Sequence, residues 1–460
     1  MALSHYDARA HVVVARRILD SLMPGWQQIG AVWLPLPHVL NMIPVQVDAW
    51  YRNGASGTAF SIAGMSVGAW ALASFVLQRT QSVSAAIAGA FLLSINPNVL
   101  YLESTPMTEP LLFGTTLLAV MLTANWIDEG APQDRRAPGF ALVAACMTRY
   151  EAWPMCATLL VLACAVLVRR GMPATAAATH VARLAFYPTI AILLFLANSR
   201  WTTGHWFVSS GFFVAENPAK GEFLVAWDQV REGLYRLSST LTVWTGYIGA
   251  MALIVAFVVS RTHASLALVL ALGSSAALPL YAYFEGHPFR VRYSIPLIVM
   301  SAAVTATAIG LLPRRVRAAA AAIVVAVTLY HVSPLDPQAL MILEAQRDAQ
   351  NMVGRRAVTS YLVQHWNGKP IMMSMGSLAH YMQDLSHERF AIHDFLQEGN
   401  GEVWVAAMQY GPRAYVQWVA IEEKAEGGDA LFLRAQEFPG FLEGFERVAE
   451  GGGVALYRRR

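Results

Sequence analysis

The chain has 460 residues, 56% of them hydrophobic and only 14% charged, with a mean hydropathy of +0.42. A water-soluble globular chain carries about 25% charged residues, so this composition excludes that class and points to a membrane protein. The formal net charge of +3 is too small for this length to imply a nucleic-acid partner, and Cys146, Cys156 and Cys164 form neither a disulfide framework nor a metal-ligand spacing.

From the N-terminus, Met1 to Asp20 contains no apolar core of a signal peptide, and Ala10 to Leu22 reads as an amphipathic helix. In "SHYDARAHVVVARRILD", Asp7 and His11 stand one helical turn apart and share a face if the helix starts there. Asp7 reads equally well as the cap of a helix beginning near Ala8. The following "GWQQIGAVWLPLPHVL" has the Trp and Pro content of a segment lying among lipid headgroups. A spanning helix needs roughly 20 mostly apolar residues. Such runs occur at Thr58 to Leu77, Val83 to Tyr101, Glu109 to Trp126, Ala182 to Asn198, Thr240 to Val259, Ala264 to Phe284, Ile295 to Leu312 and Arg317 to Val332. Ala137 to Val168 is too long for one helix and is interrupted by "TRYEAWP", so it is predicted to make two short passes. Ten spans result.

The basic turns at Arg79, Arg135 and Arg136, Arg169 and Arg170, Arg261, and Arg314 to Arg317 then fall on one side, which the positive-inside rule makes cytoplasmic. The other side receives the N-terminal segment, the "NPNVLYLESTPMTE" and "TRYE" turns, a long loop from Ser199 to Ser239, "YFEGHPFRVRY", and everything after Ser333. After Pro334 the composition turns polar. "KPIMMSM" and "GGVALYRR" read as strands and "AEGGDALFLRAQ" as a helix, the texture of a soluble α/β domain. The expected domains are an extracytoplasmic first loop with interfacial helices (residues 1–57), a transmembrane helical domain (58–333) and an extracytoplasmic soluble α/β domain (334–460). An outward N-terminal segment with no span before it leads to the expectation that a first helix is missing.

Asp7, Glu103, Glu109 and Glu151 all fall on the outer side, where acids at membrane depth are costly and usually functional. Glu109 also suits a helix N-terminus, and Glu151 suits pairing with Arg149. Arg290 and Arg292 lie on the same side against the positive-inside trend, and guanidinium forks of this kind bind phosphate or snorkel to headgroups. His11 and His287 are candidate metal ligands or structural histidines, with no spacing that resembles a zinc site.

Together "HYDARAH", "WLPLPH", "NPNVLYLESTPMTEPL", "TRYEAWP" and "GHPFRVRYSIPL" resemble the lipid-dependent glycosyltransferases of the GT-C fold, bacterial relatives of protein O-mannosyltransferases and of the aminoarabinose transferase of lipid A. The resemblance covers roughly Ser4 to Pro296. It implies a GT-C-like polytopic α-helical membrane protein of the cell (inner or plasma) membrane, with the active site and C-terminal domain extracytoplasmic. The implied activity is inverting transfer of a sugar from a polyprenyl-phosphate donor to a protein, lipid or glycan acceptor. By the same resemblance Asp7 is the base, Glu109 orients the acceptor or a divalent metal ion, and Arg290 or Arg292 holds the lipid phosphate. His11, Glu103, Arg149, Glu151 and His287 support them or the acceptor. Ala8 and His11 stand where the family carries a second acid and an aromatic residue, which leaves metal dependence open. A transporter or flippase of a lipid-linked substrate and a non-catalytic membrane scaffold are the alternatives, the former expected to place charges near the bilayer midplane.

Overall fold

The computed structural model describes residues 2–30, 32–207, 217–425 and 428–460; residues 208–216 of the expected long loop lie outside the described residues. The chain opens with α1 (Tyr6–Arg16) and two short helices, α2 (Leu36–Asn41) and α3 (Asp48–Asn53). A helical bundle follows, beginning with α4 (Ala55–Thr80), α5 (Val83–Ser94), α6 (Pro97–Glu103), α7 (Glu109–Asp128), α8 (Arg136–Cys146) and α9 (Ala152–Arg169). It continues through α10 (Ala174–Thr203), α11 (Phe223–Leu237), α12 (Thr240–Val259), a 3-10 segment running into α13 (Ala277–Phe284), α14 (Ile295–Leu311) and α15 (Arg314–His331).

All ten expected apolar segments are helical, but they are not equivalent. Among the described residues seven helices are long and apolar enough to cross a membrane, and α5 and α6 together have the length and composition of an eighth, bent by 75° as a broken span or a re-entrant loop is. The bend falls inside the run expected as one straight helix from Val83 to Tyr101. Its cause is local: Asn96 caps α6 by accepting from Asn98 N at 2.9 Å, and Pro97 fills the first helical position, where no amide hydrogen is needed. Both asparagine amides reach the Leu237 carbonyl, at 2.8 and 3.0 Å, so the polar groups at the bend are satisfied. α8 has only 11 residues, and α15, with Arg314, Arg315 and Arg317 in its first turn, is outside the span set. The loop expected between Ser199 and Ser239 contains α11, whose Phe223, Leu224 and Trp227 are exposed.

α4 and α7 pack backbone to backbone through glycine. A Cβ on Gly114 would meet the Gly64 carbonyl oxygen at 2.2 Å, and a Cβ on Gly64 would meet Leu111 Cα at 2.6 Å. Small residues at such a crossing let membrane helices gain dispersion contact where no hydrophobic driving force exists. The contact also fixes the start of α7, and with it Glu109.

Beyond the bundle come α16 (Leu340–Gly354), α17 (Arg356–His365), α18 (Met375–Leu385), α19 (Gly401–Tyr410) and α20 (Ala430–Glu437). They surround a five-stranded sheet of β1 (Ile371–Met373), β2 (Phe395–Leu396), β3 (Trp418–Glu422), β4 (Phe445–Gly451) and β5 (Val454–Arg459), in the order β2-β1-β3-β5-β4. β1 runs parallel to β2 and β3, with Ile371 opposite both Phe395 and Trp418. β5 is antiparallel to β3 and closes a hairpin with β4 through Gly452 and Gly453, at φ +56° and +82°, the left-handed pair that a tight hairpin requires. Two packing facts cut across the chain order. Met341 of α16 belongs to the apolar core of the helical bundle. Val12, Val13 and Ala15 of α1 belong to the core that contains Leu378, Met382 and Leu456 of the sheet domain.

Replacing Gly114 by Ala forces α7 away from α4. Overpacking of this kind costs about 1–3 kcal/mol, so Gly114→Ala is expected to lower the thermal unfolding midpoint in detergent by several degrees; an unchanged midpoint would refute the close approach.

Candidate functional site

The site lies where α1, the starts of α7 and α14, the turn between α8 and α9, and α16 meet at one end of the bundle. α1 starts at Tyr6, earlier than the expected Ala10 or Ala8, because the His5 ring serves as its cap: His5 Nδ1 accepts from Asp7 N at 3.0 Å. Asp7 therefore lies inside the first turn and is not the cap. His5 Nε2 is 3.4 Å from Glu344 Oε1.

Arg292 stands in the 3-10 turn Val291–Ser294 that leads into α14. Its Nη2 donates to Asp7 Oδ2, and its Nη1 is 3.4 Å from His5 Nε2. Burial alone would raise the Asp7 carboxyl, but the Arg292 charge, with His5 behind it, outweighs burial and holds Asp7 well below the usual carboxylate range. Glu344 is likewise lowered, its burial overcome by the His5 hydrogen bond and the charge of Arg292. Asp348, one turn further along α16, accepts from Tyr6 N at 2.9 Å; there burial dominates and the carboxyl is raised.

A second group is built around Arg149 in the α8–α9 turn. Its Nη2 donates to Glu151 Oε1 at 2.8 Å, its Nε to the same oxygen at 3.1 Å, and its Nη1 to Thr108 Oγ1 at 2.9 Å. The same Nη1 is 3.1 Å from Glu109 Oε1. The side chains of Glu109 and Glu151 are only 2% and 3% exposed. Burial would lower Arg149, but Glu109 and Glu151 together raise it above the ordinary arginine range, so the ion is fixed as a cation. The contact with Glu109 is one of charge only: neither Glu109 oxygen receives an aligned hydrogen bond. A carboxylate so buried and so under-donated is an acceptor waiting for an O–H or N–H.

His11 joins the two groups. It is held well below its ordinary value by burial and then by His38; Asp7 opposes this, and Arg149 and Arg292 reinforce it. Its Nδ1 is 3.1 Å from His38 Nε2, and His38 Nδ1 is 3.1 Å from the Leu34 carbonyl. His38 Nδ1 therefore donates to Leu34, and His38 Nε2 accepts from His11. Burial and Arg17 push His38 down to about 3, so the histidine pair is uncharged at neutral pH. Trp33 lies against the His11 ring at 4.1 Å.

Of the residues singled out in the sequence, Asp7, His11, Glu109, Arg149, Glu151 and Arg292 are thus brought together. Arg290 flanks them, its charge acting on Glu344 and its backbone carbonyl accepting from Tyr283 Oη at 2.7 Å. His287 packs beside Tyr293 with ring centroids 5.4 Å apart. Glu103, half-buried at the end of α6, joins neither ion-pair group. Among the described residues no three His, Cys, Asp or Glu side chains converge on a point that would hold a metal ion, so the divalent ion raised by the resemblance has no donor set here. His5, Thr108, Glu344 and Asp348 were not foreseen. The two acids had one readable signal, their spacing of four in "EAQRD", which puts both on one face of a helix.

Arg149 is the sole cation touching two buried carboxylates among the described residues. Breaking a buried pair from one side costs about 3–5 kcal/mol. Arg149→Met is therefore expected to destabilise the protein strongly in thermal unfolding, and adding Glu109→Gln and Glu151→Gln is expected to restore part of the loss. A single variant as stable as the wild type would contradict the pairing.

No protein-family model matches the chain, and no curated protein does. Solved structures do. The crystal structure of ArnT from Cupriavidus metallidurans in the apo state is similar with a TM-score of 0.54 and 10% identity, over 98% of this chain and 92% of that one. The structure of the same protein bound to undecaprenyl phosphate is similar with a TM-score of 0.51 and 12% identity, over 99% of this chain and 93% of that one. At these identities the likeness is one of fold: the chain is a multi-pass membrane protein with the GT-C fold and a C-terminal α/β sheet domain.

Proposed function

We propose that the protein is an inverting glycosyltransferase that takes a sugar from a polyprenyl-phosphate donor and transfers it to an acceptor at the outer face of the cell membrane. The observation that carries this reading is the Asp7–Arg292 pair, a carboxylate and a guanidinium held together at the end of a membrane helix, in a fold shared with a protein solved with undecaprenyl phosphate bound. An amphipathic donor keeps its tail in lipid and its phosphate at the headgroup level, so a phosphate-binding arginine belongs at a helix end. On this reading residues 1–57 and 334–460 flank the site on the extracytoplasmic side and residues 58–333 form the membrane domain.

The reaction needs three things of these residues. Arg292, with Arg290 beside it, binds the donor phosphate and stabilises the negative charge that grows on it as the bond from the anomeric carbon to the phosphate oxygen breaks. Asp7 takes the proton of the acceptor hydroxyl while that oxygen attacks the opposite face of the anomeric carbon. The bonding electron pair leaves with the polyprenyl phosphate. Glu109, with no donor of its own, orients a sugar or acceptor hydroxyl, and Arg149 and Glu151 hold it in place.

Asp7 is a weak base while Arg292 grips it. A phosphate that takes over Arg292 removes that grip, so donor binding makes Asp7 more basic. The sign follows: Asp7 works deprotonated, and activity falls as pH drops through its pKa. That fall is expected at higher pH in kcat, which reports the enzyme–substrate complex, than in kcat/KM, which reports the free enzyme. Purified protein is expected to release undecaprenyl phosphate from one of a panel of undecaprenyl-phosphate sugars. Asp7→Asn is expected to lower kcat by about 10²–10⁴-fold with donor binding kept, and Arg292→Met to abolish donor binding. Full turnover by Asp7→Asn, or acid limbs that coincide, would overturn the assignment of the base.

A further inference from the structure

We propose that the C-terminal sheet domain is the positioning element for Asp7, acting through the stack of His380 on Tyr6; the proposal rests on the reading of Asp7 as the base. Tyr6 is the residue next to Asp7, and its ring lies on His380 with centroids 3.9 Å apart and planes 16° from parallel. His380 belongs to α18, and its own position is set by Arg355. That side chain is 1% exposed, donates through Nη2 to Glu422 Oε1 at 2.6 Å and through Nε to the Gly452 carbonyl at 3.3 Å, and contacts His380 Nε2 with Nη1. The guanidinium also stands 5.8 Å from the Tyr6 ring centroid and 5.6 Å from that of Tyr381. An anchor inside the sheet domain therefore reaches the catalytic helix in two steps.

The rest of α1 is fastened to the same helix. Arg9 Nη1 donates to Gln383 Oε1 at 2.7 Å and lies 3.2 Å from Asp384 Oδ1, and Arg17 Nη1 lies 3.0 Å from Met375 Sδ. Between these polar contacts Val12 and Val13 share a core with Leu378 and Met382. One face of α1 thus belongs to the sheet domain, and Asp7 is presented from it to Arg292 of the membrane domain.

The chemistry explains why such a clamp is needed. A phosphate bound by Arg292 competes with Asp7 for the guanidinium charge and draws that side chain toward itself. As Arg292 shifts its hold toward the phosphate, the placement of the carboxylate rests on the contacts of its own helix, and a misplacement of about 1 Å costs roughly 10²-fold in rate. Tyr6 and His380 touch no reacting atom; they are positioning residues.

The test uses the full-length protein in lipid nanodiscs. His380→Ala and Tyr6→Ala are each expected to lower kcat at least tenfold while binding of undecaprenyl phosphate stays within twofold. The double variant is expected to be no worse than either single one, and Tyr6→Phe, which keeps the ring, to retain most of the rate. In hydrogen exchange, amides of Tyr6–Arg16 are expected to exchange at least tenfold faster in His380→Ala than in the wild type, with those of α14 unchanged. Unchanged exchange overturns the clamp. Faster exchange with unaltered turnover, or a parallel loss of undecaprenyl phosphate binding, overturns the positioning role. A wild-type protein that transfers no sugar overturns the functional reading and leaves the exchange measurement to decide the clamp.

Discussion

A carboxylate set at the end of a membrane helix, away from bulk water, persists as an ion only if a fixed cation meets it, and the structure is arranged around two arginines that do so. Arg149 sits between Glu109 and Glu151, and Arg292 grips Asp7. Each offsets part of the desolvation penalty of its partner. Neither is held by its immediate sequence neighbours alone. Arg149 depends on the break between two helices that brings it to Thr108, and Arg292 on a 3-10 turn that aims it at α1 before α14 begins. The fold's task at this end of the bundle is to bring those two turns within reach of segments far away in the chain.

The two groups differ in what they leave unsatisfied. Every nitrogen of Arg149 has an acceptor, in Glu151 or Thr108. Within that same group Glu109 has charge compensation without hydrogen bonds, and in the other group Arg292 has an Nε with no acceptor. Electrostatic neutrality and hydrogen-bond satisfaction are separate requirements, and the site meets the first while leaving part of the second open. The site is therefore charge-paired without using all of its hydrogen-bonding capacity.

Much of the bundle was legible in the sequence because a membrane span is a length and a composition, both local properties. The bend at Asn96 was not. The run from Val83 to Tyr101 is apolar enough to read as one span despite Asn96, Pro97 and Asn98, and the polar groups that the local cap and proline place at the bend are satisfied by the Leu237 carbonyl, some 140 residues on. The site was legible as a set of charges on one side of the membrane, but not as pairs: Asp7 and Arg292 are 285 positions apart. The start of α1 was misjudged because its cap is a histidine, outside the Ser, Thr, Asp and Asn set that marks helix starts. Glu344 and Asp348 went unnoticed because the polar composition after Pro334 assigns that stretch to a soluble domain, whereas the first turn of α16 packs with the membrane helices.

That first turn has a bearing on how such proteins could be recombined. Met341 is fully buried in the core of the bundle, and its amide donates to Asn98 Oδ1 at 3.0 Å. A hybrid joined at Pro334 would import a foreign α16 and put an unmatched side chain in place of Met341 inside the bundle. A junction beyond Gly354 would keep that helix with its native host, but α1 would still face an unfamiliar α18. The natural unit of exchange is therefore discontinuous: the N-terminal helix and the sheet domain travel together, and α16 stays behind.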